Sequence, residues 1–111
     1  TIYGDGLQTR SFCYIDDLIE GLISLMGSDD SCTGPINLGN PDEYTMIELA
    51  EMIISLTKSK SKIVFKSLPQ NDPRKRKPDI SLANDLLGWN PECNIVNGLN
   101  CTIEYFKKKL Y

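Results

Sequence analysis

The longest uninterrupted apolar run in this chain, Phe12-Cys13-Tyr14-Ile15, is four residues long. A membrane-spanning helix needs about 20 predominantly apolar residues, and the inner strands of a doubly wound parallel sheet read as near-continuous apolar stretches. The chain offers neither. It alternates short strand-like runs with amphipathic helical periods, an α/β pattern. The strands are too few and too short for a full doubly wound sheet, so the pattern predicts a lobe rather than a whole enzyme. With 111 residues, 41% hydrophobic and 24% charged, the expectation is one domain with a modest core over residues 1–111. Thr1 opens a strand-like run with no initiator Met and no signal-peptide pattern, which predicts a piece of a larger protein.

Thr1-Ile2-Tyr3 reads as a strand end and Gly4-Asp5-Gly6 as a turn. Phe12-Cys13-Tyr14-Ile15 reads as a second strand. Asp16 or Asp17 caps the next helix, whose Leu18, Leu22, Leu25 and Met26 share a face with Ile19 and Ile23 beside it. Pro35-Ile36-Asn37-Leu38 is a short strand stopped by Gly39-Asn40-Pro41. Thr45-Met46-Ile47-Glu48 has capping-box spacing, and Met46, Leu49, Ala50, Ile53 and Leu56 line the helix behind it. Lys62-Ile63-Val64-Phe65-Lys66 is a strand, the basic stretch between Leu68 and Pro78 a loop, and residues 81–87 a short helix ended by Gly88. Leu99, Ile103, Phe106 and Leu110 stripe a last helix, with Lys107, Lys108 and Lys109 suiting its C-terminal dipole.

A net charge of −3 creates no general field toward nucleic acid or anionic lipid, so an anion site needs a local cluster. Pro73-Arg74-Lys75-Arg76-Lys77-Pro78 is one. Its prolines hold the backbone extended, so successive side chains diverge and only some can face one ligand. A guanidinium presents a planar fork of donors matched to phosphate or carboxylate oxygens. Arg10 stands beside Gln8 after a glycine-containing turn, where a ligand can approach closely. Taken alone, these features read as a solvated charged loop and an ordinary surface arginine. Cys13, Cys32, Cys93 and Cys101 include no CxxC pair and histidine is absent, which favours free, partly buried thiols over zinc or a disulfide framework.

Four segments, in order and spacing, carry a resemblance over essentially the whole chain. They are Tyr3-Gly4-Asp5-Gly6-Leu7-Gln8-Thr9-Arg10-Ser11-Phe12-Cys13-Tyr14-Ile15-Asp16-Asp17-Leu18, Ile36-Asn37-Leu38-Gly39-Asn40-Pro41, Asp72-Pro73-Arg74-Lys75-Arg76-Lys77-Pro78-Asp79-Ile80 and Leu87-Gly88-Trp89-Asn90-Pro91. The chain resembles the C-terminal, substrate-binding lobe of the Rossmann-type extended short-chain dehydrogenase/reductases (the NAD-dependent epimerase/dehydratase superfamily). Within it the chain is most similar to the UDP-glucuronic acid decarboxylase (UDP-xylose synthase) family. The first and last segments are shared with epimerases and dehydratases, whereas the Arg-Lys-Pro-Asp-Ile run is more discriminating.

The resemblance implies a nucleotide-sugar carboxy-lyase when intact. Retained NAD oxidises C4 of UDP-glucuronate, the β-keto acid loses CO2, and the 4-keto intermediate is reduced to UDP-xylose. Gln8 and Arg10 resemble positions that hold the diphosphate, and Tyr3 one that lines the nucleotide pocket, its other reading being a half-buried strand tyrosine. Arg76 resembles an active-site arginine that also reaches the diphosphate. Arginine holds its proton too firmly for easy general-acid work, so electrostatic stabilisation of developing charge is the expected role. Asp17 resembles a structural aspartate, read as a helix cap, and Trp89 a packing residue. The family's glycine-rich cofactor turn and Tyr-x-x-x-Lys pair do not occur here. Tyr105 and Lys109 have that spacing, but on a terminal amphipathic helix. NAD is therefore expected to be bound by an N-terminal half outside this sequence, with this chain inactive alone. The resemblance further implies UDP-glucuronate and UDP-xylose as ligands, a homodimer when intact, no nucleic acid, no membrane span in this chain, and the cytoplasm or Golgi lumen as compartment. The other readings are a nucleotide-sugar epimerase or dehydratase, and a non-catalytic anion-binding or interaction module built on Arg74, Lys75, Arg76 and Lys77.

Overall fold

A computed structural model describes residues 1–111. In chain order the elements are β1 (Ile2–Tyr3), β2 (Thr9–Ser11), α1 (Ile15–Met26), β3 (Glu43–Thr45), α2 (Met46–Thr57), β4 (Phe65–Lys66), a short helix at Ala83–Leu87 and α3 (Ile95–Leu110). Two ladders organise them. β1 runs parallel to β4, with Ile2 opposite Phe65 and Tyr3 opposite Lys66. β2 runs antiparallel to β3, with Arg10 opposite Tyr44, and its other edge bridges in parallel to Lys75. Between β1 and β2 the chain reverses through Gly4 (φ +74°) and Gly6 (φ +76°). A Cβ on Gly6 would stand 2.4 Å from Ile47 Cγ1, so side chain and backbone conformation both forbid another residue there.

The second strand lies earlier than its apolar signal. Thr9, Arg10 and Ser11 all pair with β3 and Thr9 also bridges Lys75 on the other edge, while Ile15 already opens α1. β3 had no apolar alternation to announce it. Of the run 62–66, only Phe65 and Lys66 join a named strand. Residues 35–38 join none: their backbone groups make no hydrogen bond to other backbone. Ile36 and Leu38 nevertheless pack against the core, and Asn37 Nδ2 donates to Asp79 O at 3.4 Å. A strand is defined by its neighbour, and this chain supplies none here.

α1 is capped by Tyr14 in extended conformation with no side-chain cap, so neither Asp16 nor Asp17 takes that role. Asp17 is a buried tie instead. Its Oδ2 accepts from Cys93 N–H at 2.9 Å and its carbonyl accepts from Trp89 Nε1–H at 2.8 Å. The buried face of α1 is Asp17 and Gly21, where a Cβ would sit 3.0 Å from Leu38 and 3.1 Å from Trp89. Leu22 and Met26, expected inside, are exposed with Ile19 and Ile23. Thr45 caps α2 as its capping box predicts, accepting from Glu48 N–H at 3.1 Å. Asn94 caps α3 five residues before the start of its apolar stripe at Leu99, accepting from Asn97 N–H at 2.9 Å.

Ile80, Ala83 and Trp89 form the core, flanked by Cys13, Ile36, Leu38 and Leu87. The short helix is wound with π geometry and ends at Gly88 with φ +62°. Trp89 is the packing residue its position suggested. Only 10 of 111 residues are buried. The accessible surface is 8078 Å2 over extents of 50 × 36 × 19 Å, whereas a monomer of 12.5 kDa ordinarily exposes about 6,200 Å2. This flat lobe leaves apolar faces uncovered. No helix is long and apolar enough to cross a membrane.

Candidate functional site

A cavity of about 390 Å3 opens where β1 and β2 meet the first half of α2, with Asp72 and Pro69 closing its far side. Tyr3, Gln8 and Arg10 all line it. β1 delivers Tyr3, the glycine turn releases the chain into position for Gln8, and the β2–β3 ladder fixes the backbone of Arg10. Met46, Leu49, Ala50 and Ile53 supply its apolar wall.

Gln8 is buried, and its Nε2–H donates to Tyr3 O at 2.8 Å. Its Oε1 is buried without a donor in the protein. An unpaired buried carbonyl oxygen costs about 1–3 kcal/mol. Arg10 donates from Nη1 to Thr9 O at 2.7 Å and from Nη2 to Asp72 Oδ1 at 2.8 Å, leaving other guanidinium hydrogens unassigned. Its fork is therefore oriented before any ligand arrives. Tyr3 is half exposed and offers one face to the cavity.

Arg76 lies outside this cavity's lining. Its segment is nevertheless adjacent: Thr9 N–H donates to Arg74 O at 2.7 Å, and Ser11 Oγ–H donates to Arg76 O at 3.3 Å. The structure thus lays the basic loop alongside β2 and brings the backbones of Arg10 and Arg76 together from 66 positions apart in the sequence. Arg76, Lys75 and Lys77 form no ion pair, whereas Arg74 pairs with Asp5 at 3.1 Å. The Asp5 carboxyl is held below the ordinary range by the Leu7 N–H and then by Arg74. Beside Arg76, Asp79 is likewise lowered by the Ser81 hydroxyl and N–H, which fix the turn leading into the core.

Asp72 escaped the sequence reading. Its partner is 62 residues distant, and a carboxylate at the edge of a basic stretch carries no local mark of the arginine it orients. Tyr105 stacks edge-on with Phe106 and takes Lys109 over its ring at 5.9 Å, at the far end of α3 from the cavity. That Tyr–Lys spacing belongs to helix packing.

No protein-family model matches the chain. It is 51% identical over 110 residues to UDP-glucuronic acid decarboxylase 1 of Danio rerio, covering 99% of this chain and 26% of that protein. It is 48% identical over 110 residues to UDP-glucuronic acid decarboxylase 6 of Arabidopsis thaliana, covering 99% of this chain and 32% of that protein. The chain spans about a quarter to a third of the curated relatives it matches, in their C-terminal part. Among solved structures it superposes on UDP-glucose 4-epimerase of Thermotoga maritima with UDP-glucose at a TM-score of 0.91 and 31% identity, over 99% of this chain and 35% of that one. UDP-glucuronic acid 4-epimerase of Bacillus cereus in complex with UDP-glucuronic acid and NAD gives 0.88 and 31%, with the same shares.

Proposed function

This chain belongs to the UDP-glucuronic acid decarboxylase family, and from that premise we propose that it is the lobe that grips the nucleotide diphosphate of UDP-glucuronate while another part of the enzyme carries the redox chemistry. The fold is that of the extended short-chain dehydrogenase/reductases. The observation that carries the proposal is the cavity at β1 and β2, which Arg10, its guanidinium oriented by Asp72, lines together with Gln8 and Tyr3. A pyrophosphate suits the donor fork of Arg10, and Gln8 shapes the wall beside it. Arg76, unpaired on the neighbouring segment, is positioned in sequence to add the second cation. Its part is electrostatic, stabilising negative charge as the carboxylate departs, because its proton is too firmly held to be given up.

NAD does not fit the residues present. Gly4 and Gly6 turn the chain from one short strand into another, and no strand-to-helix glycine turn offers a helix N-terminus to a dinucleotide pyrophosphate. NAD would be held outside these residues, by a cofactor-binding half against which α1 and residues 35–38 dock. The uncovered apolar face of α1 and the unpaired backbone of 36–38 fit that contact. Binding energy gathered at the diphosphate, remote from the reacting carbon, then fixes the sugar for chemistry. The chain alone has no means of turnover.

A chimera tests the reading. This chain replaces the matching segment of the Danio rerio relative, and the product is assayed for CO2 release from UDP-glucuronate. Turnover that falls at least ~100-fold in Arg10→Ala supports the proposal, as loss of one charged ligand contact is worth about 3 kcal/mol. A chimera that epimerises UDP-glucuronate without releasing CO2 favours the epimerase reading, which the likeness to the two 4-epimerases motivates. A folded chimera whose UDP affinity is unchanged in both Arg10→Ala and Arg76→Ala removes the diphosphate assignment altogether.

A further inference from the structure

The sequence leaves four thiols without a role, and the fold gathers two of them. Cys13 immediately precedes the cap of α1, and Cys93 immediately precedes the cap of α3. The two helix starts lie side by side. The Asp17 carboxylate in the first turn of α1 accepts the Cys93 N–H at 2.9 Å, and a Cβ on Gly98 of α3 would lie 3.5 Å from the Tyr14 ring. Both cysteines line one apolar cavity of about 290 Å3, walled also by Phe12, Ile95 and Leu99. The cavity gives them room to reorient.

Other pairings are disfavoured by the same geometry. From Asn94 to Cys101, α3 rises about 10 Å, beyond the ~7 Å limit for the Cα separation of a disulfide. Cys32 lies past the far end of α1, whose 12 residues span about 18 Å. Cys101 keeps company with the Tyr14 side chain. Tyr14 is extended, so it and Cys13 project to opposite sides of the backbone. All four cysteines are free in this structure.

We propose that Cys13 and Cys93 are a redox pair whose disulfide clamps the start of α1 to the start of α3. In the step, one sulfur–sulfur bond forms as the two thiols give up two protons and two electrons. A low-molecular-weight disulfide such as oxidised glutathione accepts them, its own sulfur–sulfur bond breaking to release two thiols. Burial, then the Asp17 charge, raises both thiols above their ordinary range, with Cys93 adding to the shift of Cys13 and Cys101 to that of Cys93. The pair is therefore protonated near neutrality and exchanges slowly there. Its oxidation quickens as pH rises, because the thiolate is the attacking species.

The test uses the whole chain as a Cys32→Ser, Cys101→Ser double variant, equilibrated with oxidised glutathione at a pH of about 8.5. Expected is the joint loss of both remaining thiols without a glutathione adduct, a cross-linked peptide containing Cys13 and Cys93, and a higher urea midpoint that reverts on reduction. Stable glutathione adducts on the two sulfurs would overturn the pair. So would equal cross-linking yield in native buffer and in urea, since the folded geometry would then contribute nothing. In the unmodified chain, urea should divert pairing to Cys93 and Cys101, the shortest loop available to an unfolded chain. If that pair also dominates in native buffer, the proposal fails.

Discussion

The outward face of α1 separates a surface built for docking from one that merely tolerates apolar residues. Ile19 and Ile23 are 44% and 63% exposed, on the helix flank opposite Asp17 and Gly21. Replacing both with Glu gives up only the part of each side chain already covered within the lobe, and Glu is the better helix former by a few tenths of a kcal/mol. The covered parts are worth about 2 kcal/mol together, so the isolated chain should stay folded and lose no more than that in urea unfolding, read through the single tryptophan, Trp89, buried behind the helix. Docked, the same two positions should matter. Full burial of an isoleucine is worth about 2.5 kcal/mol, so covering what these two leave exposed contributes about 1 and 1.5 kcal/mol. Burying two carboxylates adds a further cost. Assembly with a separately produced cofactor-binding half should weaken at least ~100-fold. The surplus surface has the scale for this. About 1,900 Å2 beyond the monomer expectation would be one side of an interface of about 3,800 Å2, within the obligate range. If the double variant unfolds the isolated chain, or the assembly tolerates it unchanged, the reasoning about this face is wrong.

Three further outcomes follow from single contacts. Asp17→Ala strands the Cys93 N–H at a part-buried position and should cost about 1–2 kcal/mol in urea unfolding, whereas Asp17→Asn keeps an acceptor oxygen and should cost less. Gly6→Ala forces a Cβ to 2.4 Å from Ile47 Cγ1 at φ +76° and should cost more than about 2 kcal/mol, compressing the cavity that Gln8 and Arg10 line. The raised Cys13 thiol favours the protonated form in the fold, so its contribution is complete below the unfolded thiol pKa and is lost as pH rises through the higher folded value. The gap in urea midpoint between the wild type and Cys13→Ser should therefore shift against the wild type on the alkaline side. A gap that stays constant from neutral to alkaline pH would contradict the raised thiol.

What could be read from the sequence was local, and what could not was relational. Thr45 Oγ1 accepts the Glu48 N–H three residues on, so the start of α2 was legible to the residue. Gly88 ends the short helix because its left-handed backbone is a property of glycine itself. Arg10 and Gln8 were legible as candidates from the family pattern, but their surroundings were not. The cavity exists because a parallel ladder joins residues 2–3 to 65–66, and Arg10 is oriented by a carboxylate 62 positions away. The same distinction explains the misplaced strands and helix faces. Phe12 and Ile15 carry the stronger β signal, yet Thr9, Arg10 and Ser11 have partners, and pairing decides what becomes a strand. Residues 35–38 alternate correctly and α1 has a sound apolar stripe, yet one lacks a ladder and the other lies open to solvent. These two discrepancies have one physical cause. A period in the sequence specifies which side of an element seeks cover, and here the side facing away from Asp17 finds none within this chain.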